Sequence, residues 1–191
     1  MSGLQLGWLE PAEGHDVALI LIAFVFPLQL LASTFGYLSR DVVAGTGMGL
    51  LAGTWLSIGL ITLTADKPGT TSDALGLFLL LAAAAMLVPA SAASAGKLVA
   101  AAVLFTTAVR FAATGLYELT ASGFWENLAG IVGLILCALA VYAAAGLALE
   151  DARHRTILPM GRRGLGRDSF EGGFGSQLAG LEHEAGVREQ L

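Results

Sequence analysis

One basic side chain stands inside a long apolar stretch of this sequence, and its chemistry is distinctive. Arg110 lies 13 residues after Lys97 and 8 residues before Glu118, which in a helix places it about 20 Å and about 12 Å from the two ends. A guanidinium at such a depth in a membrane costs about 2.5–3.5 kcal/mol, so we expect a compensating partner. It can donate two hydrogen bonds to a carboxylate in a pore, or it can extend to the interface and pair with Glu118 or Glu126. The sequence leaves both interpretations open.

Gln29 is the neutral polar side chain best suited to binding a small solute. Its amide offers donors and an acceptor without charge, although a contact between helices is the alternative. Pro27, two residues earlier, favours a kink. Thr54 and Thr106 more often bond back to their own helix than line a pore.

Acidic and histidine side chains do not occur in the interior of the apolar stretches, and Cys137 is the only cysteine. The sequence therefore predicts no catalytic site, no metal site and no cofactor. The net charge of −5 predicts no nucleic-acid partner.

Apolar residues dominate the chain up to residue 150. Of the 191 residues, 55% are hydrophobic and only 13% are charged, whereas about a quarter of a soluble domain is charged. Runs of about 18 or more nearly uncharged residues can cross a hydrocarbon core as helices. The sequence predicts an all-α, polytopic membrane bundle with five visible spans, over residues 17–38, 42–64, 74–93, 98–117 and 126–149.

Charged residues outside the spans set the expected orientation. Residues 1–16 form a short acidic N-terminal segment, and residues 150–191 form a tail that we expect to be mostly disordered after residue 161. Five arginines follow the last span: Arg153, Arg155, Arg162, Arg163 and Arg167. The positive-inside rule then predicts a multi-pass protein of the inner membrane with a cytoplasmic C-terminus.

Small residues recur at every fourth position of the second span, at Gly45, Gly49, Gly53 and Ser57. These positions share one helical face. Because helices in lipid associate by close packing, this face predicts a tightly packed bundle or an oligomer interface. The pattern by itself does not indicate transport.

Residues near the end of the last span match a family pattern. Ala140, Tyr142 and Gly146 fit Ala-x-Tyr-x-x-x-Gly. The following segment fits Arg-Thr-x-Leu-Pro-x-Gly at Arg155, Thr156, Leu158, Pro159 and Gly161. Together they resemble the closing signature of the acetate uptake transporter family, which contains acetate/succinate–proton symporters. Gln29, Tyr37 and Trp55 also fall where that family has the same residue types, so the resemblance covers about residues 5–161.

This resemblance implies a protomer similar to the urea/amide channels, with six helices around a narrow pore and a hexameric ring of protomers. The five spans would be family helices two to six. The first family helix, with its Asn-Pro-Ala-Pro-Leu-Gly-Leu motif, would then lie before Met1. Tyr142 and Gly146 would pack the last helix, and the helix with the small residues would border the pore.

The sequence departs from the family at the expected constriction. A constriction Tyr becomes Leu51, a constriction Leu becomes Thr106, and Arg110 replaces an apolar residue. We expect a substrate pathway along Gln29, Leu51, Thr54, Trp55, Thr106 and Arg110. The expected function is transport of small monocarboxylates such as acetate, coupled to protons, by a homo-oligomer in the lipid bilayer. The alternative is a diverged membrane protein that does not transport and acts as an assembly partner.

Overall fold

Five long helices form the body of the molecule. The computed structural model describes residues 1–153, 155–164 and 167. The helices are α1 (Ser2–Gln5), α2 (Pro11–Leu38), α3 (Val42–Thr64), α4 (Asp73–Ser94), α5 (Leu98–Thr120) and α6 (Gly123–Arg153). The last five are long and apolar enough to cross a membrane, which confirms the predicted all-α membrane bundle. Each predicted span lies inside one of them, whereas the predicted disorder falls largely outside the described residues.

Helix α2 changes its winding part-way along. An α-helix over Gly14–Ile20 passes into a wide π-turn over Leu21–Val25 and returns to an α-helix over Phe26–Leu38. Pro27 lacks the N–H that a regular helix would use, so the turn before it can widen without a lost hydrogen bond at that residue. The irregular turn ends at Val25, four residues before Gln29.

The ends of the bundle differ in charge. Asp66, Glu118 and Glu126 lie at one end, called here the acidic end. Lys97, which pairs with Asp41, lies at the other, called here the basic end. Asp41 also accepts a hydrogen bond from the Ala44 amide at 3.1 Å, so it caps the start of α3.

The hydrophobic core lies mainly among α3, α4 and α5. Its large, almost fully buried side chains include Leu79, Met86 and Phe111. Glycines bring α4 and α5 close together, because a Cβ on Gly115 would lie only 2.9 Å from the Gly76 carbonyl oxygen. Close backbone approach of this kind is how membrane helices gain packing energy.

The small-residue face of α3 contacts α2 at its first two glycines. A Cβ on Gly45 would lie 2.7 Å from the Tyr37 ring, and one on Gly49 would lie 3.0 Å from Ser33 Oγ. The Ser33 hydroxyl donates to the Gly45 carbonyl at 2.7 Å. A Cβ on Gly36 would lie 2.6 Å from the Gly45 nitrogen, so the two backbones nearly touch here.

Further along the same face, the small residues no longer contact α2. A Cβ on Gly53 would meet nothing within 4 Å, and the Ser57 hydroxyl donates to the carbonyl of Gly53 in its own helix at 2.9 Å. The close contact moves instead to Gly59, where a Cβ would lie 2.7 Å from Ile22. Four residues turn about 400° in a helix with 3.6 residues per turn, so a strict four-residue spacing drifts about 40° per step and leaves the contact face after Gly49.

After α6 the chain folds back over the basic end, and residues 155–163 are called here the C-terminal strap. The Tyr142 hydroxyl donates to the Pro159 carbonyl at 2.9 Å. A Cβ on Gly146 would lie 2.4 Å from Met160 Sδ, so a larger residue there would displace the Met160 side chain of the strap. The Tyr-x-x-x-Gly pattern thus packs the strap against α6.

A buried ion pair fixes the strap to α6. Glu150 is only 2% exposed, and its Oε2 lies 2.6 Å from Arg162 Nη2. The distance is that of an ion pair, although the angles fall outside hydrogen-bond geometry. The two groups still attract, because ion-pair energy depends on separation more than on angle.

Candidate functional site

Arg110 is buried between two helices that face α5. Arg110 is only 8% exposed. Its guanidinium carbon lies 5.2 Å from the centre of the Trp55 ring on α3. On the α6 side, a Cβ on Gly133 would lie 2.9 Å from the same carbon. A cation over an indole is stabilised by about 2 kcal/mol when desolvated, and the glycine supplies the room.

No carboxylate neutralises this guanidinium within residues 1–153, 155–164 and 167. Glu118, which the sequence offers as a partner, accepts a hydrogen bond from the Ser72 amide at 2.8 Å instead. Arg110 therefore turns towards Trp55 in the bundle rather than towards the acidic end. A buried guanidinium without an anionic partner is well suited to binding a carboxylate.

A cavity of about 390 Å³ opens at the acidic end, above Arg110. The side-chain amide of Gln5 donates to Thr114 Oγ1 at 3.3 Å, and both residues line this cavity. Thr114 follows Arg110 by four residues, so the cavity wall begins about 6 Å along the helix from the arginine.

Leu51 and Trp55 lie together on the buried face of α3. Both belong to the continuous core with Phe111, whose ring meets that of Trp55 edge-on at 6.1 Å. The structure thus brings Leu51, Trp55 and Arg110 into one region, with packed apolar side chains beside the guanidinium.

The two threonines of the expected pathway differ. Thr54 is 2% exposed, and its hydroxyl donates to the Leu50 carbonyl at 2.7 Å, so that donor is used within α3. Thr106 is half-buried and precedes Arg110 by four residues, which places it about one helical turn towards the basic end.

Gln29 lies away from the cavity. It is half-buried in α2, and its Oε1 is buried without a hydrogen-bond partner in the described part of the chain. It does not line the cavity near Arg110. A buried acceptor of this kind normally has a partner, so Gln29 remains a candidate contact at a separate place.

Gln5 and Thr114 are the site residues that the sequence reasoning missed. Leu6 fits above Gly130, where a Cβ would lie 2.6 Å from the leucine Cγ, and Ser2 fits above Gly133. The glycines three residues apart on α6 are the signal for such a contact, but a sequence does not say which segment fills it.

Among the described residues, no group of three or more His, Cys, Asp or Glu side chains could hold a metal ion.

Comparison with known proteins finds a similar fold. No family model matches the chain, and no curated protein sequence matches it. A solved structure, described as that of the bacterial acetate channel SatP, aligns with a TM-score of 0.64 at 22% sequence identity. The alignment covers 83% of this chain and 97% of that chain. The protein is therefore a multi-pass membrane helical bundle with the fold of that channel.

Proposed function

We propose that this protein conducts small monocarboxylates such as acetate across a membrane, together with a proton and as part of a homo-oligomer. The observation that carries the proposal is Arg110, buried without a carboxylate partner beside a cavity open at one end. The fold shared with an acetate channel supports the same class of solute.

Arg110 is the group that replaces water around the solute. Two parallel N–H donors match the two oxygens of a carboxyl group, and the Trp55 ring on one side limits where that group can sit. Small solutes are favoured, because Leu51 and Phe111 pack beside the site. Passage towards Thr106 requires these apolar side chains to move.

A proton accompanies the solute in this proposal. Net charge is expensive to carry past apolar side chains, and a carboxylic acid, or an anion with a proton, crosses them without net charge. The helix interiors near Arg110 contain no carboxylate within ion-pair distance of it, so the proton travels on the solute itself.

The test is uptake of labelled acetate into proteoliposomes that hold the purified chain, with and without an inward proton gradient. We expect saturable uptake that the gradient stimulates. Arg110→Met keeps an unbranched apolar stem and removes the charge, so kcat/KM should fall roughly 10- to 100-fold, the factor expected for lost hydrogen bonds to a charged group. Arg153→Met, at the exposed end of α6, is the matched control and should transport like the parent.

Each outcome decides a different point. Uptake that persists in a folded Arg110→Met protein contradicts the role of Arg110. Absence of uptake by the folded parent contradicts transport and favours the alternative of an assembly partner.

A further inference from the structure

The cavity at the acidic end presents an acceptor and a donor side by side. Gln5 is 7% exposed, and its Oε1 has no hydrogen-bond partner in the described chain. Its Nε2 donates to Thr114 Oγ1 at 3.3 Å. This hydrogen bond orients the amide and leaves Oε1 as an unused acceptor.

Thr114 supplies the matching donor. Its oxygen accepts from Gln5, and no acceptor for its hydroxyl hydrogen occurs among the residues the structure describes. Thr107 and Thr120 on the same helix behave differently, since their hydroxyls donate to the carbonyls of Val103 and Leu116 at 2.8 and 2.6 Å. Thr114 lies towards the cavity, where its hydrogen can point to a bound molecule.

A neutral carboxylic acid has the complementary pair of groups. Its O–H is a donor and its carbonyl oxygen is an acceptor, whereas an ionised carboxylate has acceptors only. The acid therefore satisfies both cavity groups, and the anion leaves the buried Gln5 oxygen facing another acceptor. Leaving such a group unpaired is the usual basis of strong discrimination.

The charges around the cavity also favour a neutral acid over an anion. The titratable groups that line it are Asp66, Tyr117, Glu118 and Glu126, and Arg110 lies one turn deeper. Carboxylates at the opening repel an approaching anion and do not repel a neutral acid.

We propose that this cavity is a loading site for a small carboxylic acid in its neutral form, with the O–H donating to Gln5 Oε1 and the Thr114 hydroxyl donating to the carbonyl oxygen. The proposal rests on the proposed function and adds the protonation state in which the solute is first bound. Transfer to Arg110, about 6 Å further along α5, is the next step.

The test is equilibrium binding of ¹³C-labelled acetate to the purified chain in nanodiscs, followed by NMR over a range of pH. If the neutral form binds, affinity for total acetate falls about tenfold for each pH unit above the acid's own ionisation. Gln5→Leu and the isosteric Thr114→Val should each weaken binding roughly fivefold at low pH, as expected for one lost hydrogen bond. Asn127→Leu and Thr120→Val are the controls, because both are exposed polar residues of the acidic end that bond within their own helices.

Affinity that is constant or rises with pH overturns the proposal, as does unchanged binding in folded Gln5→Leu and Thr114→Val. If Gln5→Leu does not fold, the binding of acetate to Thr114→Val alone decides the test. The result is separable from the proposed function: loss of uptake in Arg110→Met together with anion-selective binding would refute only the neutral loading site.

Discussion

The contact between Gly36 and Gly45 makes a sharp prediction about stability. A Cβ at Gly36 would lie 2.6 Å from the backbone nitrogen and 2.8 Å from the Cα of Gly45. Those atoms cannot turn aside as a side chain can, so Gly36→Ala must push α2 and α3 apart. The displacement also weakens the bond from Ser33 Oγ to the Gly45 carbonyl, which is 2.7 Å long.

The magnitude follows from three terms. Inserting a methyl into a tight contact costs about 1–3 kcal/mol, and loss of the Ser33 bond adds about 1 kcal/mol. The higher helix propensity of alanine offsets about 1 kcal/mol. We therefore expect Gly36→Ala to lower the free energy of unfolding by about 1–3 kcal/mol.

Gly53 provides the matched control, because the same substitution there should act in the opposite direction. A Cβ at Gly53 meets nothing within 4 Å, so Gly53→Ala gains helix propensity and should stabilise by up to about 1 kcal/mol. Reversible unfolding of both variants in mixed micelles, followed by circular dichroism, measures the difference. A Gly36→Ala protein as stable as the parent would refute the reasoning from backbone contact, and a destabilised Gly53→Ala protein would show that Gly53 is packed after all.

Two further predictions concern the site and the strap. Gly133→Ala places a methyl 2.1 Å from Ser2 Oγ and 2.9 Å from the Arg110 guanidinium carbon. The short serine side chain can rotate aside, whereas displacement of the guanidinium should lower acetate uptake roughly tenfold, as expected for a displaced charged hydrogen-bond donor. Gly123→Ala, which meets nothing within 4 Å, should leave uptake unchanged, and equal uptake in both variants would count against the positioning of Arg110. Arg162→Ala should destabilise by about 3 kcal/mol, because it leaves the buried Glu150 charge without its partner, whereas Glu150→Gln should cost about 1 kcal/mol. Thermal unfolding of the two variants tests whether Arg162→Ala is less stable than Glu150→Gln, and equal losses of stability would contradict this prediction.

The sequence predicts well those features that depend on local composition. Long uncharged runs locate the five spanning helices, although α2 begins at Pro11 rather than at residue 17, since Glu13 and Asp16 add a polar first turn that an apolar run does not reveal. The depth of Arg110 follows from counting residues. Its partner does not, because the direction of a side chain depends on how its helix is rotated against the neighbours.

Features that depend on distant contacts are not predictable in the same way. Gln5 and Thr114 are separated by 109 positions, and nothing local to residue 5 distinguishes it from a polar terminus. Gly53 continues the four-residue pattern and yet has no neighbour, because each four-residue step drifts about 40° around a helix with 3.6 residues per turn and so leaves the face that contacts α2. Spacing identifies which residues share a face, and packing decides which of them are in contact.

The stacking of Arg110 on Trp55 gives the molecule a built-in optical reporter. Of the three tryptophans, Trp8 is 67% exposed and Trp125 lies near the start of α6, so phenylalanine can replace both without touching the cation–π contact. Trp55 would then be the single indole fluorophore. Its emission responds to the electric field of the guanidinium 5.2 Å away. Binding of a solute that neutralises this charge would therefore shift the Trp55 emission, and no added label is needed to detect it.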